Sequence, residues 1–300
     1  MFTARVTLGR NRAPKGSQTL WLLSENAVPS YMTDSLIKFS AISFALLLGC
    51  SPALRAEIHP VVEVKTGILL GASSGPKWLD GEHAAKQFKP GLSFRIFDLG
   101  KEVGAAKAQK VEAEMDICPD VQIVSFAETP ASGEIALAAP WNALPRPVRV
   151  TDTTQETYRD AARDFLASKG LPKPKVKITQ ILRADLDGDG EEEVLLSATK
   201  YEAEEDSAPT SAQAGDYSFV LLRQSRGGKV ETKLIEGEFY KKADTSNTPY
   251  VHRISAVLDL DGDGKMEFVL SSTYYEGGTT TVYRYTPSSI KKLASVSCGA

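Results

Sequence analysis

An internal duplication constrains this chain more than any other feature. Residues 185–202 read DLDGDGEEEVLLSATKYE and residues 259–276 read DLDGDGKMEFVLSSTYYE; they align without a gap at an offset of 74 and agree at 12 of 18 positions. Agreement of that density across a loop and the run that follows it marks two copies of one structural unit. Each copy has the same plan. A strand (VKITQIL; VHRISAVL) enters the acidic loop, a second (EVLLSAT; EFVLSST) leaves it, and two more follow: YSFVLLRQ and KVETKLIE in the first copy, TTTVYRYT and IKKLASVS in the second. Gly277-Gly278 and Pro287-Ser288-Ser289 mark the turns of the second copy. The intervening EAEEDSAPTSAQAGD (202–216) has no apolar period and reads as a mobile surface insertion.

The loops have the chemistry of a cation site. Asp185, Asp187 and Asp189 occupy positions 1, 3 and 5 of the first loop, and Asp259, Asp261 and Asp263 those of the second. Odd positions of a tight loop turn side chains to a common centre. Position 7 offers a backbone carbonyl, from Glu191 or Lys265, and position 9 adds the carboxylates of Glu193 and Glu267. Gly190 and Gly264 stand at position 6, where a sharp turn excludes a larger residue. Hard oxygen donors in this number suit Ca²⁺, whereas Mg²⁺ keeps more of its water. Two unit charges about 5 Å apart at an effective dielectric near 20 repel by roughly 3 kcal/mol, so four gathered carboxylates call for a counter-ion. The bland alternative is a solvated Asp-Gly turn; the odd spacing, the glutamate at position 9 and the duplication weigh against it. An EF-hand is excluded, because position 12 is Leu196 or Leu270, inside a β-like run, where that motif needs a bidentate glutamate and a following helix.

The loop and its flanking strands resemble the FG-GAP or VCBS repeats of integrin-α-type β-propellers and of many exported bacterial proteins. In those repeats a DxDGDGxxE loop joins two strands of a blade and binds calcium, mostly to stabilise the blade. The resemblance covers about residues 175–298 and implies the ligand roles just named, residue by residue. The chain departs from the family in lacking its Phe-Gly and Gly-Ala-Pro elements. It also has two copies, where closed propellers need at least about four blades. A closed propeller is therefore not asserted. The pair can equally be completed by a helix, by the first region or by a second molecule.

Ahead of the repeats, residues 57–147 read as a small β domain, with strands in IHPVVEVKTGILLGASS, KPGLSFRIFDLG and VQIVSFAE. Residues 148–172 hold the end of a proline-rich ordered connector, APWNALPRPVRV, and a helix over 153–169. Tyr158, Ala161, Ala162, Phe165 and Leu166 give that helix one apolar face. Thr153 and Glu156 have capping-box spacing at its start, and Gly170 and Pro172 stop it. The expected fold is mainly β with one capping helix: a small N-terminal β domain, then two propeller-blade-like β repeats over 173–300.

The amino terminus reads as an export signal. SAISFALLLG, from Ser40 to Gly49, is too short to span a bilayer and the right size for a signal core. Residues 32–56 then form the signal and residues 1–31 an over-called extension. Leu54-Arg55-Ala56 suits an ordinary signal peptidase. Leu47-Leu48-Gly49-Cys50 resembles a lipobox, which would make Cys50 a lipidated first residue and the one membrane attachment. Cys118 and Cys298 remain, and in an oxidising compartment such a pair is expected to form a disulfide. Residues 1–56 hold six Lys or Arg against two Asp or Glu; the rest of the chain, with 29 basic and 36 acidic residues, is net −7. An acidic body offers no footprint for nucleic acid or an anionic membrane.

Nothing points to catalysis. Gly71-Ala72-Ser73-Ser74-Gly75 fits GxSxG, but Pro76-Lys77-Trp78 follows where a nucleophile elbow needs a helix, so a hairpin turn is the better reading. His59, His83 and His252 are scattered and belong to no metal motif. Glu204-Glu205-Asp206 is a solvated charge run. The favoured expectation is a periplasmic or extracellular, non-enzymatic binding or structural module, whose partner is a protein or glycan of the cell envelope. Tyr201, Tyr274 and Tyr275 are candidate contact aromatics. The alternatives are a periplasmic inhibitor or immunity-type partner of a secreted enzyme and, less favoured, a hydrolase.

Overall fold

Apolar residues in alternation, punctuated by glycine and proline, fold into antiparallel strands throughout the described residues of the computed structural model, 57–114, 116–201 and 208–299. The expected extension, the signal with its two cleavage readings, and Cys50 lie outside them.

The first sheet is built from β1 (His59–Glu63), β2 (Leu69–Ser74), β3 (Lys77–Leu79), β4 (Ser93–Asp98), β5 (Lys101–Ala113), β6 (Gln122–Phe126) and β7 (Ile135–Leu137), in the order β3-β2-β1-β7-β4-β5-β6. A short helix, α1 (Gly81–Ala85), follows β3 and is capped by the Asp80 side chain accepting from His83 N. The sheet curls: Ile68 bridges to Ile123 and Val124 N donates to Gly67 O at 2.8 Å, returning β6 to the entry of β2. The four strands expected from the sequence are present as β1, β2, β4 and β6. β5, thirteen residues long, was not anticipated. KEVGAAKAQKVEA is rich in Ala and Lys, which have weak strand preference, and its only buried side chains are Ala106 and Ala108.

The connector adds a two-residue strand, β8 (Arg149–Val150), and leads into α2 (Glu156–Ser168). The first repeat follows as β9 (Ile178–Ala184), β10 (Glu193–Lys200), β11 (Tyr217–Arg226) and β12 (Lys229–Phe239); the second is β13 (Val251–Leu258), β14 (Glu267–Tyr274), β15 (Gly277–Thr286) and β16 (Ser289–Gly299). Each is a sequential antiparallel meander, with β8 added beside β9.

Packing shows how two blades are completed without closing a ring. Tyr158, Ala162 and Leu166 of α2 pack on Ile181, Leu196, Ala198, Phe219 and Leu221 of the first repeat. The opposite face of that repeat, with Leu182, Leu195, Val220 and Leu222, meets Ile254, Val257, Phe268 and Leu270 of the second. The far face of the second repeat, with Ala256, Leu258, Val269 and Val282, meets Val61, Leu70, Phe97 and Leu137 of the first sheet. The layers thus run helix, first repeat, second repeat, N-terminal sheet. The middle strands are covered on both faces, so EVLLSA and EFVLSS read as nearly continuous apolar runs rather than strict alternations. Each large aliphatic or aromatic side chain buried in this way contributes on the order of 1.5–3 kcal/mol before chain entropy is counted. A bulge between Ile254 and Ala256 flips the parity of β13, which lets Ile254 and Val257 share one face.

The inner edge of β13 is covered rather than left open. Ile254 N donates to Gln180 Oε1 at 2.8 Å and Gln180 Nε2 donates to Ile254 O at 2.9 Å, so a side-chain amide stands in for a neighbouring strand. Further along, Leu99 N donates to Ser255 O at 3.1 Å and Val257 N to Leu99 O at 3.0 Å. An edge occupied in this way cannot template another chain. Cys118, in the β5–β6 connection, is disulfide-bonded to Cys298 on β16, with Cα atoms 5.6 Å apart.

Four local readings are corrected. The helix begins at Glu156, and its N-cap, Gln155, makes no side-chain cap; Asp152 instead takes Thr154 N at 2.9 Å, holding Thr153 and Thr154 in a turn before the helix. Gly277 and Gly278 lie inside β15 rather than in its turn, and a Cβ on Gly277 would sit 2.3 Å from Cys298 O on β16. Residues 208–216 are not a loose insertion: Ala212 is buried and exchanges backbone hydrogen bonds with Asp244, and buried Asp216 pairs with Lys200 at 2.8 Å. Residues 202–207, with the charge run, lie outside the described residues. Tyr201 is half-buried and donates to Tyr250 O at 2.9 Å; Tyr274, also half-buried, packs on the Tyr250 ring, which leaves Tyr275 as the open member of that trio.

Candidate metal centres

Both acidic loops follow the last residue of a repeat's first strand and end at the first residue of its second, so the fold places them at equivalent corners. Their internal hydrogen bonds repeat one for one. In the first loop Asp185 Oδ1 accepts from Gly188 N at 2.6 Å and Oδ2 from Gly190 N at 3.1 Å; in the second Asp259 accepts from Gly262 N at 2.7 Å and Gly264 N at 3.0 Å. Leu186 N donates to Glu193 Oε2 at 3.0 Å, and Leu260 N to Glu267 Oε2 at 3.0 Å. The four loop glycines have φ between 78° and 93°, a left-handed conformation that disfavours any side chain. At Gly190 and Gly264 that conformation, not crowding, is the reason, since nothing lies within 4 Å of a Cβ built there. Crowding arises two residues earlier, where a Cβ on Gly188 would meet Arg146 and one on Gly262 would meet the Trp141 ring.

The loops gather carboxylate oxygens from positions 1, 3 and 9. Oxygens of Asp185, Asp187 and Glu193 lie within 4.8 Å of one another, as do oxygens of Asp259, Asp261 and Glu267. Asp189 and Asp263, expected as ligands, are outside these groups. Each accepts from the residue two positions on: Glu191 N donates to Asp189 Oδ1 at 2.8 Å and Lys265 N to Asp263 Oδ1 at 2.7 Å. Each group is compact enough to hold a metal ion, an arrangement that acidic loops also adopt without one.

Burial makes Glu193, Asp259, Asp261 and Glu267 reluctant to ionise. Glu193 is pushed up to about 7 by burial, reinforced by the charges of Asp187 and Asp189. Glu267 is likewise pushed up to about 7 by burial, with Asp261 adding to it. Burial raises Asp259 and Asp261 as well.

The connector, unremarkable in the sequence, fastens both loops. Trp141 Nε1 donates to Asp259 O at 2.9 Å, and Asp259 N donates to Ala143 O at 2.9 Å. Arg146 is the bridge: its Nε donates to Asp185 O, its Nη2 to Leu186 O at 3.1 Å and its Nη1 to Gly264 O at 2.7 Å. The loops also touch directly, Met266 N donating to Leu186 O at 2.7 Å. Glu192, beside the first loop, is neutralised by Arg149 and by Arg183, the latter at 3.0 Å. The third strands bring in Tyr285, whose hydroxyl lies 3.1 Å from Glu193 Oε1 and 2.9 Å from Gln224 Oε1, and Arg284, which binds Asp261 and Glu267. No motif announces these partners, because the third strands FVLLRQ and TTTVYR share only a structural register.

The other sequence candidates stand apart. Ser73 lies fully buried in β2, facing His59 across the ladder, in a β2–β3 hairpin. His59 packs edge-on against Trp141, His83 pairs with exposed Asp80, and His252 is buried with Nδ1 2.7 Å from Ser272 Oγ. Among the described residues no helix is long and apolar enough to cross a membrane. Comparisons with protein-family models, with curated proteins and with solved structures returned no match.

Proposed function

We propose that this protein is an exported cell-envelope module whose β repeats are stabilised by Ca²⁺ at the acidic loops, and that it binds or scaffolds rather than catalyses. The observation that carries the reading is the paired three-carboxylate groups, each within 4.8 Å and each built on the same hydrogen-bonded loop. The raised Glu193 adds to it, since a divalent ion removes the repulsion and desolvation that hold its proton. The FG-GAP or VCBS resemblance supports the same assignment. Export is supported by the apolar run at 40–49 and by the Cys118–Cys298 bond, which suits an oxidising compartment. Residence is then periplasmic or extracellular, with Cys50 as the candidate lipid anchor. The partner is a protein or glycan of the envelope; Tyr275, 63% exposed, is the aromatic most open to it.

Tyr285 supplies a direct test. Its ring carries the hydroxyl beside Glu193, so Tb³⁺, a hard trivalent substitute for Ca²⁺, would sit close enough to be sensitised by tyrosine excitation. Chelator-treated protein is expected to give sensitised terbium emission that Ca²⁺ displaces and equal Mg²⁺ does not. Absence of sensitised emission, or equal displacement by Mg²⁺, would overturn the assignment.

A further inference from the structure

The two loops are duplicated in sequence but not in their surroundings. The ladder pairs Val194 with Arg223 in the first repeat and Phe268 with Tyr283 in the second. Val194 and Phe268 are equivalent by the 74-residue offset, so the next residues along the third strands, Gln224 and Arg284, occupy one structural position beside the position-9 glutamate. Where the first repeat places a neutral amide, the second places a guanidinium.

That guanidinium binds the oxygens an ion would use. Leu186 N and Leu260 N fix Glu193 Oε2 and Glu267 Oε2, so the Oε1 atoms correspond. Likewise Asp189 N and Asp263 N fix Asp187 Oδ1 and Asp261 Oδ1, so the Oδ2 atoms correspond. In the second loop Arg284 Nε donates to Glu267 Oε1 at 3.0 Å and Nη2 donates to Asp261 Oδ2. In the first loop Glu193 Oε1 meets the neutral Tyr285 hydroxyl at 3.1 Å, and among the described residues no cationic side chain pairs with Asp187 or Glu193. Arg146 comes 3.7 Å from Asp185 Oδ2, but its hydrogen bonds are spent on backbone carbonyls. Gln224 cannot substitute: its amide nitrogen donates to Glu231 Oε2 at 2.9 Å.

We infer that Arg284 is the resident cation of the second loop, which therefore takes no metal, and that the first loop is the single Ca²⁺ site. This rests on the calcium reading above and refines it. A guanidinium suits the role because its planar fork spans two carboxylates and stays charged at any physiological pH. What separates the loops is position rather than net charge: in the second loop the Arg284 guanidinium occupies Glu267 Oε1 and Asp261 Oδ2. In the first loop the corresponding Glu193 Oε1 and Asp187 Oδ2 have no cationic partner among the described residues, Arg146 reaching only Asp185.

Calcium stoichiometry, measured by titration calorimetry on the full chain after chelator treatment, tests the inference. The wild type is expected to bind one ion, Asp187→Asn none, Asp261→Asn one, and Arg284→Gln two. Arg284→Gln leaves two buried carboxylates unpaired and can unfold without metal, so it is refolded and titrated from low calcium; should it not fold, the two aspartate variants decide. Two ions on the wild type with one lost in Asp261→Asn would overturn the inference while leaving the calcium reading intact. No ion on the wild type would overturn the calcium reading and the inference with it.

Discussion

At the scale of single residues, the account turns on side chains that serve the loops without belonging to them. Arg146 donates to three carbonyls on two loops. Arg146→Met is expected to lower unfolding free energy by about 2–4 kcal/mol in urea titrations, and Arg146→Lys to recover only part, since a point charge cannot span the three acceptors. His252 makes a pH prediction. Burial holds its pKa below 6.5, the opposing pull of Glu238 and Glu236 being weaker. The folded state therefore keeps a neutral imidazole that the unfolded chain protonates near pH 6.5. Its contribution is full above that pH and is lost as pH falls, by up to about 1.4 kcal/mol per unit. Glu193 and Glu267 act in the opposite sense when metal-free: raised to about 7, they weaken the fold as pH rises from about 4.5 to 7. The difference between wild type and His252→Gln isolates the histidine. Wild type should lose more stability than the variant between pH 7.5 and 5.5, and equal losses would contradict the assignment. The carboxylates at positions 1, 3 and 9 were legible at this scale because spacing places them, but Asp189 and Asp263 at position 5, read the same way, lie outside the groups. Arg146, Trp141 and Arg284 were not, because their roles depend on which chain segment the fold brings alongside.

At the scale of elements, repetition made the repeats readable. All eight of their strands follow an apolar pattern, and the offset of 74 carries one copy's reading to the other. β5 was missed because its inward side chains are alanines, too small to make a hydrophobic pattern visible. The start of α2 was misplaced because Thr153 and Glu156 have capping-box spacing while Asp152 makes the hydrogen bond that holds the turn. Its end was legible. Leu171 N donates to Leu166 O at 3.1 Å and Gly170 N to Ala167 O at 3.0 Å, with Gly170 at φ 90°. This is the double hydrogen bond of a Schellman cap. Gly170→Ala should cost about 1 kcal/mol in chemical unfolding. A Cβ there meets only the flexible end of Lys241, so a much larger loss would point to packing instead of backbone conformation.

At the scale of the whole molecule, two blades persist without a ring because each outer face has its own cover: α2 over the first repeat and the N-terminal sheet over the second. Sequence left that question open, since patterning shows that a face is apolar but not what lies on it. The Cys118–Cys298 bond fastens the second cover across 180 residues of chain. Cys118→Ser with Cys298→Ser is expected to lower stability by about 2–5 kcal/mol, read as a lower melting temperature. The far-UV circular dichroism of the folded state should stay unchanged.

The central claim, that the acidic loops are cation sites, is tested most directly by thermal unfolding of the full chain in about 1 mM Ca²⁺, in equal Mg²⁺ and in chelator. With a dissociation constant ten- to a hundredfold below the calcium concentration, one site adds about 1.4–2.7 kcal/mol. The account predicts a melting temperature that rises in calcium alone and a response abolished by Asp187→Ala. Identical melting in all three conditions would contradict it and leave the loops as acidic turns held by their own backbone.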